Sequence, residues 1–236
     1  LYQRNHTRGV YDDLVLLDEV DVKNVTEVLK NRYAKQEMYT AIGPVLVCVN
    51  PYKYLTKGRG KAELPIYDPQ VARLYYGGET LELAPHIFRI GADAYKALRQ
   101  GRQNQCVIVT GESGAGKTEA AKQIMQFVAE VTSSTGTMTA PMLIHSGVNK
   151  HLLESNPLLE AFGNAQTARN DNSSRFGKYM ELQFSYGAEV IGGKVTNYLL
   201  EKSRIVHQAD GERNFHIMHY LVNGSTVPEK ERHGIL

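Results

Sequence analysis

The chain has 236 residues, of which 42% are hydrophobic and 22% charged, and a formal net charge of +2. Those proportions describe a globular chain able to bury a sizeable core, and so small a net charge argues against nucleic acid or a membrane surface as partner. No run of 18 apolar residues occurs, so no transmembrane segment is expected. No signal-peptide pattern opens the chain. Cys48 and Cys106 lie in apolar runs and read as buried thiols of a reducing, cytoplasmic compartment.

In chain order, Leu1 to Arg8 is polar and irregular. Leu14-Val15-Leu16-Leu17-Asp18-Glu19 looks like the Mg²⁺-acid strand of P-loop ATPases. Such strands follow the phosphate loop rather than precede it, so coincidence is the better reading. Asn24 with Glu27 suits a helix start, with Val25, Val28, Leu29 and Tyr33 on the inner face. After Gly43-Pro44, the run Val45–Val49 suits a strand buried on both faces, and Asn50-Pro51 turns the chain. Tyr54–Glu63 is a polar insert with the basic stretch Lys57–Lys61, expected as a solvated loop. Asp68-Pro69 caps a helix ending near Tyr76. Pro85 begins another, with Ile87, Phe88, Gly91, Ala94, Tyr95 and Leu98 at helical spacing. Cys106–Val109 reads as a second buried strand.

A helix through Val131 follows, with Ala121, Ile124, Met125 and Val128 as its buried stripe. Residues 132–146 form a Ser/Thr/Gly-rich surface loop, Gly147–Ser155 reads as helix, and Asn156-Pro157 starts a short helix through Phe162. Tyr179–Ser185 and Val190–Leu200 make a β-hairpin, with Met180, Leu182 and Phe184 on one side. Glu212–Val222 is a last helix with Phe215, Met218, Leu221 and Val222 inward. The expected fold is α/β: a P-loop NTPase-type mixed sheet flanked by helices, with nucleotide at the carboxyl ends of its strands. The chain reads as a segment of a longer protein.

The chemistry concentrates between the strand at Cys106 and the helix that follows. Gly111-Glu112-Ser113-Gly114-Ala115-Gly116-Lys117-Thr118 matches the phosphate-binding pattern G-x-x-x-x-G-K-[ST] in the strand–loop–helix context that gives it meaning. The glycines let backbone N–H groups curl around an anion, and the helix N-terminus adds further donors and the positive end of a dipole. Lys117 supplies a charge for β- and γ-phosphates, and Thr118 a hydroxyl for Mg²⁺. A second polar cluster, Asn170-Asp171-Asn172-Ser173-Ser174-Arg175-Phe176-Gly177-Lys178, offers amides, hydroxyls and a cation. A nucleotide hydrolase needs such groups beyond the γ-phosphate. By composition alone the same stretch also suits an ordinary surface loop.

Gly111 to Thr118 reads GESGAGKT, and Asn156 to Lys178 reads NPLLEAFGNAQTARNDNSSRFGK. Together they resemble the myosin motor domain, the second stretch being similar to its switch I. Gly43–Val47 with Asn50–Lys53, Pro85–Phe88, Tyr198–Arg204 and Gly211–His216 carry the resemblance further, so that it runs from about Gly9 to Gly224. Gly9-Val10, Asp12-Asp13-Leu14 and Asn170-Asp171-Asn172 lean towards class I. The resemblance implies an ATPase of the actin cytoskeleton that uses ATP and Mg²⁺. Thr118 and Ser174 would ligate the Mg²⁺. Lys117, Asn164, Asn170 and the loop from Gly111 to Thr118 would contact phosphates. Ser173 would bond the γ-phosphate or relay a proton, and Arg175 would form the ion pair that closes the site. Asn50, Pro51 and Tyr67 would line an adenine pocket. Actin filaments, and light chains or calmodulin on a lever arm, would bind regions mostly outside this chain.

Three departures from the family pattern stand out. Gln166 replaces the usual lysine, the 54–63 insert separates Asn50-Pro51 from Tyr67, and the D-x-x-G-x-E motif that would supply the partner of Arg175 is absent from these 236 residues. Two other readings remain: a different P-loop enzyme, or a nucleotide-binding fragment without catalysis. For a GTPase, Asn149-Lys150-His151-Leu152 lacks the closing acid of N-K-x-D.

Overall fold

Side-chain caps set where the first helices begin. Asp21 Oδ1 accepts from the Asn24 amide at 2.6 Å and starts α1, Val22–Ala34; the cap lies three residues before the Asn24 expected in that role. Asp68 Oδ1 accepts from Gln70 N at 2.7 Å ahead of α2, Pro69–Gly77, as its Asp-Pro pair requires. His86 Nδ1 accepts from Phe88 N at 3.0 Å and caps α3, Ile87–Gly101. The structure, a computed structural model, describes residues 11–53, 65–77, 83–134 and 154–234. The expectations for Leu1–Arg8, the Tyr54–Glu63 insert, the surface loop beyond Ser134 and the start of the Gly147–Ser155 helix lie outside them, as does Asn149–Leu152.

The chain divides into two compact units, one drawing on Leu1–Thr110 and Ala115–Thr137, the other on Gly111–Gly114 and Met138–Leu236. In the first, α2, α3 and α4 (Lys117–Ser134) pack together. Ile87, Phe88, Ala92 and Tyr95 of α3 and Met125, Phe127, Val128 and Val131 of α4 are buried, and the rings of Phe88 and Phe127 lie 5.4 Å apart. Of the expected α4 stripe, Met125 and Val128 are buried, while Ala121 and Ile124 are half-buried.

Gly91 faces Phe127, and a Cβ built there would stand 2.7 Å from a ring carbon. Replacing a mid-helix glycine by alanine gains about 1 kcal/mol of propensity, but overpacking a core costs about 1–3 kcal/mol. The clash wins, and Gly91→Ala is expected to lower the melting temperature. A variant as stable as the parent would mean that Phe127 swings aside freely.

Beside the helices, β1 (Tyr39–Ile42) and β2 (Val45–Cys48) form a hairpin in the register Tyr39↔Cys48 to Ile42↔Val45. Gly43 turns it at φ +57°, a conformation that favours glycine. Arg32 of α1, 2% exposed, reaches into this hairpin. It donates to Thr40 Oγ1 at 2.8 Å, Tyr39 O at 2.7 Å, Tyr11 O at 3.1 Å and Asp12 Oδ1 at 2.6 Å. The inner face of α1 is therefore Val28 and Arg32; Tyr33, expected inward, is 44% exposed.

Two buried-strand expectations are corrected. Among the described residues β2 pairs with β1 alone, and Val45 and Cys48 are exposed. Cys106–Val109 joins no ladder among the described residues; Ile108 is 85% exposed, and Cys106 is exposed too. An apolar run states what a strand could bury. Burial on both faces needs neighbouring strands and helices above and below. The described strands instead form three separate two-stranded antiparallel sheets. The Leu14–Leu16 stretch is a 3₁₀ turn, in keeping with its reading as a coincidence. No helix among the described residues is long and apolar enough to cross a membrane.

In the second unit, α5 (Asn156–Gly163) carries its proline in the first turn. It passes directly into β3 (Asn164–Thr167) and β4 (Asn170–Ser174), paired antiparallel. Then come β5 (Gly177–Phe184) and β6 (Val190–Tyr198), the expected hairpin. Tyr198 packs so closely on Gly177 that a Cβ there would lie 2.4 Å from its ring. A 3₁₀ turn at Lys202–Ile205 leads to α6 (His216–Gly224) and α7 (Val227–His233). The last helix expected, Glu212–Val222, thus starts four residues later, and α7, with its Thr226/Glu229 capping box, is additional. Phe215 is buried as expected, but Met218, Leu221 and Val222 are 39%, 48% and 46% exposed. α5 and β3 pack on α6 without covering that stripe.

Candidate functional site

The loop Gly111–Thr118 turns where its glycines allow it. Gly114 and Gly116 have φ of +80° and +94°, which side-chain-bearing residues adopt only under strain. Lys117 opens α4, and the Ala120 amide donates to Gly116 O at 2.9 Å. The first turn of any helix leaves N–H groups without carbonyl partners inside it, and Lys117 and Thr118 stand in that turn, both half-buried. Gly111, Glu112 and Ser113 are exposed, while Gly114, Ala115 and Gly116 are half-buried.

In the first unit, Asn50 adjoins the loop: a Cβ built on Gly116 would lie 3.9 Å from Asn50 Nδ2. Asn50 Oδ1 accepts from Tyr52 N at 3.0 Å, which folds Asn50-Pro51 into a tight turn. Tyr67 belongs to an aromatic group. Its hydroxyl is 2.8 Å from that of Tyr39 and donates to Met38 Sδ at 3.8 Å, and its ring centroid lies 5.8 Å from His86 and 6.1 Å from Phe88. Met38 O also accepts from Val49 N at 2.9 Å, so Tyr67 and the strand leading to Asn50 share that residue. Burial, with smaller contributions from Tyr67, Cys48 and Glu119, raises the pKa of Tyr39; burial likewise raises that of Tyr67, against the bond with Tyr39, which lowers it. Burial pushes His86 down to about 3, so it is neutral, with Nδ1 as the capping acceptor.

In the second unit, the polar cluster Asn170–Lys178, which by composition also suited a surface loop, is β4 and the start of β5, with β4 paired to β3 in a hairpin. It brings Ser173 to the loop: Ser173, 1% exposed, and Ser113 approach at 2.8 Å between hydroxyl oxygens. Asn170 Nδ2 reaches Ser113 Oγ at 3.5 Å and Asn172 O at 3.3 Å. Arg175 Nη1 donates to Ser173 Oγ at 3.1 Å. Asn164 is 2% exposed; its Nδ2 donates to Asn172 Oδ1 at 2.9 Å, while its Oδ1 accepts nothing among the described residues. Ser174 stands opposite Asn164 in the ladder and is exposed. Phe176 seats on Gly163, where a Cβ would come within 2.3 Å of its ring.

Residues not singled out in the sequence complete this cluster. Asn172 also donates to Glu160 Oε2 at 3.3 Å and meets His216 Nε2 at 3.0 Å. Glu201 Oε2 accepts from Arg175 Nε at 2.7 Å, and Arg204 stands behind it at 2.9 Å. Bonds from Arg175 and then Arg204 hold the Glu201 carboxyl below the usual range. The Tyr198–Arg204 match marked this region without giving it a role. Among the described residues no group of three or more His, Cys, Asp or Glu is arranged to hold a metal ion. Hydroxyl donors with phosphate oxygens and water suit a hard cation such as Mg²⁺.

A family model for the myosin head (motor domain) matches residues 11–235. The chain is 50% identical over its whole length to the myosin IA heavy chain of Dictyostelium discoideum, covering 22% of that protein. It is 48% identical over 95% of its length to the myosin IC heavy chain of the same organism, covering 18% of that one. With the unconventional myosin-Ia of Gallus gallus it shares 47% identity over 91% of its length and 19% of the relative. The chain belongs to the myosin head (motor domain) family, on the class I side. It spans about a fifth of the length of these relatives.

Proposed function

We propose that this chain is the nucleotide-binding portion of an actin-based motor ATPase, and that Gly111–Thr118 cradles the phosphates of Mg-ATP. The bond between Ser113 of the loop and Ser173 of the β3–β4 hairpin carries this reading. It joins the phosphate loop to the group that would face a γ-phosphate. The left-handed turns at Gly114 and Gly116 support it, since they are the turns a backbone makes to aim amides at an anion. The buried Asn164 Oδ1, which accepts from no donor among the described residues, supports it as well, because an unmet buried acceptor costs about 1–3 kcal/mol.

In this reading Lys117 pairs with β- and γ-phosphate oxygens, and the loop amides and Asn170 hold the phosphates from the other sides. Thr118 and Ser174 hold the Mg²⁺ ion, which neutralises charge on the phosphate oxygens. Ser173 bonds the γ-phosphate or passes on a proton from the attacking water. Arg175 closes the site through an ion pair. Asn50, Pro51 and Tyr67 line the adenine pocket. A P-loop NTPase-type sheet would include Cys106–Thr110, which accounts for the apolar face this stretch carries. Actin, light chains or calmodulin, and a place on the cytoplasmic actin cytoskeleton, belong to the same reading through parts of the protein beyond these residues.

Ser174→Ala in the full-length protein tests it. Mg²⁺-dependent turnover is expected to fall about 10- to 100-fold, with nucleotide affinity changing less, because a metal ligand acts more on the reacting phosphate than on the bound base. Unchanged turnover would remove Ser174 from its role. A parent protein that binds no Mg-ATP would remove the whole reading.

A further inference from the structure

The ion cluster behind the β3–β4 hairpin is built more firmly than a surface pair. Glu201 holds Arg175 twice: its Oε2 accepts from Arg175 Nε at 2.7 Å, and its backbone amide donates to Arg175 O at 3.0 Å. Glu201 is itself held. Arg204 donates to it through Nε at 2.9 Å and Nη2 at 3.4 Å. The Arg204 side chain is only 4% exposed, and it is fixed by Glu212 Oε2 at 2.7 Å and Arg213 O at 3.0 Å. The carboxylate is therefore a post backed by a buried guanidinium that is itself bonded on its far side. Both side chains of the pair are partly exposed, Arg175 at 29% and Glu201 at 34%, but Glu201 has a second cation behind it. An exposed ion pair between two flexible side chains contributes little; here one partner is already held from behind.

The other arm of Arg175 is what gives the post a consequence. Its Nη1 donates to Ser173 Oγ at 3.1 Å, and Ser173 lies 2.8 Å from Ser113 of the phosphate loop. A hydroxyl has one proton and two lone pairs. With one lone pair taken by Arg175, the orientations open to the Ser173 hydroxyl are narrowed. If Arg175 leaves, Glu201 keeps Arg204 and is not stranded, so the arrangement allows release as well as holding.

We propose that Glu201 is a positioning residue: it fixes the Arg175 guanidinium, which in turn fixes the Ser173 hydroxyl that meets the phosphate loop. The catalytic consequence rests on the function proposed above; the positioning itself does not.

Two measurements on the full-length protein test it. In the first, Glu201→Gln is expected to bind fluorescent Mg-ATP within about threefold of wild type, while kcat falls about 10- to 100-fold, the size of effect that misplacing a reacting group produces. Glu201→Asp recovers part of the rate, and Glu201→Gln added to Arg175→Lys slows the reaction little further, since the two act as one unit. A wild-type kcat in Glu201→Gln overturns the proposal, as does a parallel loss of affinity, kcat and melting temperature, which would mark a scaffold role. In the second, amide hydrogen exchange of the nucleotide-free protein is compared. Glu201→Gln is expected to speed exchange across Ser173–Arg175 at least about tenfold while α4 is unchanged. Unchanged exchange there also overturns the proposal. This readout stands even if the protein binds no ATP, so failure of the positioning role and failure of the function are told apart.

Discussion

Lys117→Ala is expected to weaken Mg-ATP binding of the full-length protein by about 100-fold or more. Truncating a charge that contacts a desolvated partner of opposite sign costs about 2–5 kcal/mol, and each 1.4 kcal/mol or so is tenfold in affinity. Lys117 is half-buried at the first position of α4, directly after a left-handed glycine. The loop brings its charge to the same end of the helix as the amides of the first turn and the positive end of the dipole. Equilibrium titration with a fluorescent nucleotide reads the effect. Affinity within threefold of wild type would mean that the loop binds no phosphate in the way proposed, whatever its pattern.

Arg32→Ala carries the largest expected effect on stability. Arg32 is 2% exposed, and its guanidinium satisfies two main-chain carbonyls, Thr40 and the Asp12 carboxylate, with Glu37 Oε2 at 3.2 Å. Removing one member of a buried charge set costs about 3–5 kcal/mol, because the remaining groups lose their compensation. For a chain of this size, at about 2–4 °C per kcal/mol, that is a fall of about 6–20 °C in melting temperature. Calorimetry of the parent and variant checks it. A shift below about 2 °C would show that water replaces the guanidinium without loss. Asp12 alone would not give so large an effect, since its side chain is 48% exposed.

The parts of the fold that could be read from the chain are those fixed by neighbours in sequence. Asp68-Pro69 caps its helix because both residues act within one turn. Gly111–Thr118 bends as read because the glycines alone permit it. The Tyr179–Val190 hairpin followed from alternation and a turn. At α1, two capping residues lay three apart, and Asp21 rather than Asn24 took the role.

What depended on distant partners was not legible. Cys106–Val109 has a buried strand's composition, but composition does not show whether partners stand beside it, and the run is exposed. Asn164–Ser174 is poor in strand-forming residues, yet it is a hairpin. Its polar side chains bond across it and to Ser113. Glu201 lies 26 residues from Arg175, and nothing in either local pattern pairs them. In the candidate site, the glycine turns of Gly111–Thr118 were legible, whereas the carboxylate that holds Arg175 in this structure was not.

The outer edge of β3 has a further consequence. Its inner edge is taken by β4, while on the other side Arg213 N donates to Gln166 O at 3.0 Å and Ala165 bridges to Phe215. Phe215 is 2% exposed and immediately precedes α6. β3 is therefore stitched along both sides. Were the hairpin displaced, either those main-chain links would break, at about 0.5–1.5 kcal/mol each, or Phe215 would be dragged with it. A buried ring at the head of a helix would make the second course a lever, by which displacing the serine-bearing hairpin pulls on α6.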